Sequence, residues 1–123
     1  VDWQIAFKAR GPYDIAYFMS QSVEPAVRAA NEESLVRDYQ RGLTELGVKD
    51  YSFDQAWDDY RAATMSCLIY PVVACGSIDL ANERGTSLAT KMLDRSLSAI
   101  NDLKAHEILD RFEPAPLPVP PGA

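Results

Sequence analysis

Asp2 in the run Val1-Asp2-Trp3-Gln4, and Asp14 in the run Gly11-Pro12-Tyr13-Asp14-Ile15-Ala16-Tyr17-Phe18, are the carboxylates with the most distinctive surroundings in this chain. Taken alone, an Asp near a strand end is a turn or cap residue; its spacing to a second motif gives it interest. Asp58 and Asp59, beside Trp57, Tyr60 and Arg61, would suit a cationic substrate, but adjacent carboxylates on a helix are ordinarily a hydrated face, and the two aromatics are expected in the core. Cys67 and Cys75 lie in an apolar stretch without a neighbouring Cys or His to complete a zinc site, and are read as buried thiols, although their spacing could permit a disulfide in some geometries. The one histidine, His106, falls between Lys104 and Glu107 on an expected solvated helical face and is assigned no role.

The elements that must position these residues are helices, because apolar residues recur mostly at spacings of three and four. The first helix is expected after the Gly11-Pro12-Tyr13 turn, with Asp14 near its positive end. A second begins near Pro25, carries Leu35, Val36, Tyr39, Leu43 and Leu46, and stops at Gly47. Ser52 and Gln55 form a capping box that opens a third, with Phe53, Trp57, Tyr60, Thr64 and Cys67 on one stripe, until Pro71 kinks or ends it. A fourth follows Gly76 and Ser77, gathering Leu88, Met92, Leu93, Leu97, Ile100 and Leu103; Gly85 delays its start to Thr86. A short helical piece then runs through Ile108 and Leu109 to Phe112. Five prolines between Pro114 and Pro121 exclude helix from the tail. The expectation is an all-α fold of four main helices over 1–112 and an extended Pro-rich tail over 113–123.

Length and composition bound what such a domain can do. At 123 residues the chain is one compact domain, and 47% apolar residues suffice for a core. A formal charge of -6 without a basic cluster opposes nucleic acid. No apolar run approaches a membrane span or a secretory leader, so no membrane partner and a cytoplasmic location are expected. The start at Val1, without an initiator Met, suggests a segment of something longer.

The two opening motifs carry a resemblance. An Asp-Trp-Gln run preceding an Asp-Leu-Ala-Tyr-Phe helix resembles the C-terminal part of the aminoglycoside phosphotransferase and choline kinase-like group, especially its ecdysteroid-kinase-like branch. The likeness is close from Asp2 to Ser20, weaker through Tyr39, Leu43, Gly47-Val48 and Tyr60-Arg61, and covers about half the chain. It implies the helical C-terminal subdomain of a protein-kinase-like fold. By the resemblance, Asp2 stands where the family holds the magnesium that bridges nucleotide phosphates, a role in which a hard cation offsets the charge of the transferring phosphoryl group. Asp14 stands where the family anchors the catalytic loop by accepting its backbone amides. Trp3, Trp57 and Tyr60 fall where the family lines its acceptor site.

The same resemblance marks what this sequence lacks: a phosphate-covering loop, a nucleotide Lys, and a His-x-Asp-x-x-x-x-Asn run with the base and second metal ligand. Mg and ATP are therefore expected for an intact parent and none for this chain alone. The missing lobe, or a partner chain carrying it, is the expected partner, and a small-molecule alcohol the substrate. No complete catalytic or cofactor site is expected in these residues. The alternative is a non-catalytic helical interaction or structural module, marked by an unusually apolar exposed face.

Overall fold

A computed structural model describes residues 8–79 and 81–111. The readings that fall on Asp2, Trp3, Phe112 and the Pro-rich tail lie outside them. Among the described residues the chain forms α1 (Tyr13–Ser22), α2 (Pro25–Glu45), α3 (Phe53–Cys67), α4 (Ile69–Ser77), α5 (Glu83–Asp102) and a closing 3-10 helix (Ala105–Arg111), with no strand. The fold is all-α, with five α-helices where four were expected.

Local chemistry sets most boundaries. Pro12 precedes α1, and Gly11 lies so close to the Tyr39 hydroxyl that a Cβ there would collide with it, which fixes the entry turn against α2. Glu24, before Pro25, is extended, as the proline ring requires, and Pro25 takes the first position of α2. Gly47, at φ 93°, ends that helix: its N–H bonds Thr44 O and the Val48 N–H bonds Leu43 O, a Schellman motif. The capping box forms as expected, with the Gln55 N–H donating to Ser52 Oγ and the Ser52 N–H to Gln55 Oε1.

The extra helix comes from Pro71. It has no N–H to offer the carbonyl four residues back, Cys67, so α3 ends there and α4 restarts with Pro71 in its first turn. The orphaned Cys67 carbonyl accepts a hydrogen bond from Gln21 Nε2 of α1 at 2.7 Å. Gly85 does not delay α5, because Asn82 Oδ1 accepts the Gly85 N–H and caps the helix one turn earlier. At its other end Arg61 donates to the Leu103 and Lys104 carbonyls, filling acceptors that a helix end leaves open.

The core gathers Ala16 and Met19 of α1, Val36 of α2, Ala56, Tyr60 and Ala63 of α3, Ile100 of α5, Leu103 and Ala105. Small α1 and α3 residues let these helices approach closely. Three expectations change here. Leu35 and Leu46 are exposed, and α2 buries Val36, as expected, together with Arg28 and Glu32. Leu88 and Leu97 of α5 are exposed as well. Cys67 is buried but Cys75 is exposed on α4; neither is in a disulfide. No helix among the described residues is long and apolar enough to cross a membrane.

Candidate functional site

Asp14 sits in the first turn of α1 and is exposed. Tyr17 and Phe18, three and four residues on, share its side of the helix and are also exposed, Phe18 at 56%. The opposite side, with Ala16 and Met19, enters the core. Tyr17 meets Tyr70 of α4 edge-on, with ring centroids 4.7 Å apart, so the apolar surface of α1 continues onto α4. On α4, Ile69, Val72 and Val73 are exposed.

A cleft of about 430 Å³ opens between the Lys8–Arg10 segment, α3 and the 3-10 helix. Its polar wall is Asp59, 6% exposed, where a hydrated carboxylate was expected. The reason is its partners: Arg10 Nη1 donates to Oδ1 at 2.6 Å and the Tyr51 hydroxyl to Oδ2 at 3.0 Å, so burial leaves neither oxygen bare. Burial first, and then the Asp59 carboxylate, hold the Tyr51 phenol well above its usual range. Tyr13, also lining the cleft, shares a hydrogen bond with Tyr70 at 3.1 Å; burial and that bond push its phenol up in the same way. Its remaining surface is mostly apolar, from Ala62, Ala63, Met65 and Leu109.

A second polar cluster lies within the bundle. Arg28, 1% exposed, donates through Nη1 to both Glu32 oxygens at 2.7 and 2.9 Å and through Nη2 to Asp102. The fully buried Tyr60 donates its hydroxyl to Glu32 Oε2 at 2.9 Å. Burial, followed by the Glu32 charge and hydrogen bond, keeps that phenol protonated far above its usual range. Tyr60 also ends a stacked series: Phe53 on Trp57 at 6.0 Å and Trp57 on Tyr60 at 5.4 Å, with the Arg37 guanidinium 3.6 Å over Phe53. Neither Trp57 nor Tyr60 is in the cleft lining. His106 is exposed, as expected.

Among the described residues no group of three or more His, Cys, Asp or Glu side chains could hold a metal ion. The sequence missed Arg28 and Glu32 and read Asp59 as a hydrated face, because their burial depends on partners far along the chain. Comparison with family models, curated proteins and solved structures returns no match for this chain.

Proposed function

We propose that the chain is the C-terminal helical portion of an ATP-dependent phosphotransferase that phosphorylates a hydroxyl of a small molecule, with Asp2 as one carboxylate ligand of its magnesium ion. The observation that carries the reading is the exposed Asp14, Tyr17 and Phe18 side of α1. An exposed carboxylate at a helix start, flanked by the exposed Phe18 and by Tyr17, which Tyr70 covers in part, is what a loop with unpaired amides would bind. Bound magnesium and ATP would supply the reactive phosphoryl group. This chain would supply the α1 support and one metal ligand, and the nucleotide site and base would come from a missing lobe. The chain alone is then inactive. Trp57, half-buried, has surface to offer an acceptor; Tyr60, fully buried with its hydroxyl committed to Glu32, does not.

The test is expression of the chain fused to the in-frame sequence that precedes Val1 in its gene, assayed with labelled ATP, magnesium and a panel of amino-sugars, choline and steroid alcohols. Transfer that Asp2→Ala abolishes, with unchanged helicity, is the expected result. Near-normal turnover in that variant removes the assignment.

A second reading is a helical interaction module. It is favoured by α4, whose Ile69, Val72 and Val73 are exposed and which carries no charged residue. A native start at Val1, together with no transfer activity, supports it.

A further inference from the structure

The Asp59 carboxylate in the cleft is already engaged. Both Asp59 oxygens are occupied by Arg10 and Tyr51, and the carboxylate is buried, so a cation entering the cleft finds its charge already neutralised. The Ser66 hydroxyl donates to the Ala62 carbonyl, and the Tyr13 hydroxyl is shared with Tyr70. Beside these groups, among the described residues, are apolar surface from Ala62, Ala63, Met65 and Leu109 and two cations: Arg10, paired with Asp59, and the exposed Lys8, which makes no ion pair among the described residues. The volume falls in the range of small-molecule sites, roughly 300–1,000 Å³.

We propose that this cleft binds a small amphipathic anion, its head at the Lys8 ammonium and its apolar body along α3 and the 3-10 helix. The body gains from leaving water, and the head selects sign, since Lys8 is a point charge at the entrance of a low-dielectric wall. The site stands whether or not the chain is part of a phosphotransferase, because it uses neither Asp2 nor the exposed side of α1.

Three ligands with one tail and different heads test it: decanoate, decanol and decyltrimethylammonium, each below its micelle concentration, titrated into the full chain carrying methyl-labelled alanine. The expected result is shifts at the Ala62 and Ala63 methyls, with decanoate tighter than decyltrimethylammonium by about fivefold at low salt. Lys8→Glu is exposed and leaves the fold intact; it should reverse that order. Ala62→Phe, on a half-buried position, should abolish binding, whereas Val73→Lys on the exposed α4 surface should leave it unchanged. Equal affinity for anion and cation, or shifts centred on Ala74 of α4 and lost in Val73→Lys, would overturn the site.

Discussion

The side-chain amide of Gln21 on α1 replaces the backbone donor that Pro71 removes: Nε2 lies 2.7 Å from the buried Cys67 carbonyl, four residues before the proline. A buried carbonyl without a partner costs about 1–3 kcal/mol, so the α3–α4 break depends on a side chain from another helix. Gln21→Leu should destabilise the chain by that amount in urea unfolding. Pro71→Ala supplies an N–H to the same carbonyl, and the loss from Gln21→Leu should be smaller in its background. Additive losses would show that Gln21 does not serve this acceptor.

The buried Arg28, Glu32 and Tyr60 group should respond unequally to its deletions. Glu32→Ala strands the Arg28 guanidinium, with only the partly exposed Asp102 left to it, and is expected to cost about 3–5 kcal/mol. Tyr60→Phe keeps the packing and the ion pair, losing one bond to a charged acceptor, about 1.5–3 kcal/mol. Denaturant midpoints for the two variants measure the difference. A Tyr60→Phe loss as large as that of Glu32→Ala would contradict the network.

Alkali should unfold the protein through groups that the fold holds protonated. Tyr13, Tyr51 and Tyr60 are raised above the ordinary phenol value of 10.0, and burial pushes the Cys67 thiol from 9.0 up to about 11. A raised folded pKa adds stability that is complete below the unfolded value and is lost as pH climbs past it. Stability should therefore hold up to about pH 9 and decline beyond it. Followed residue by residue with ring-labelled tyrosine, phenolate formation at Tyr13, Tyr51 and Tyr60 should coincide with the loss of helical circular dichroism; phenolate at these three of the six tyrosines in a fully helical chain would refute it.

The two thiols should separate by rate. Iodoacetamide at pH 8 should modify the exposed Cys75 within minutes and leave Cys67 protected until denaturant is added, since only an accessible thiolate attacks. Mass spectrometry of the peptides distinguishes them. Equal modification of both would mean that α3 opens readily at its C-terminal end.

Asp14→Ala separates the two functional readings. In this chain the residue is exposed, so only its favourable placement at the helix start is lost and the expected cost is below about 1 kcal/mol. In a fused parent with transferase activity, the same change should lower turnover sharply, because a loop would lose its acceptor. Unchanged turnover would leave Asp14 as a helix-start residue and nothing more.

The helices were largely legible because their signals act within a few residues. Pro25, the Ser52–Gln55 box and Gly47 each satisfy or block backbone groups one turn away, and the expected boundaries followed them. Asn82 was overlooked as the cap that lets α5 begin before Gly85, although that signal is equally local. The cleft was not legible, since it is assembled from the Lys8–Arg10 segment, α3 and the 3-10 helix, which are distant in sequence.

By itself the sequence determined an all-α chain, most of its helix ends and a core that includes Tyr60. Only the tertiary structure decided that Arg28, Glu32 and Asp59 are buried, while Leu35, Leu46 and Val73 face outward. Helical spacing groups residues on a face but does not say what the facing helix offers. A buried charge needs a partner, and beyond the local Arg28–Glu32 pair the fold brings distant ones: Tyr60 meets Glu32 across 28 residues, Arg10 meets Asp59 across 49 and Arg28 meets Asp102 across 74.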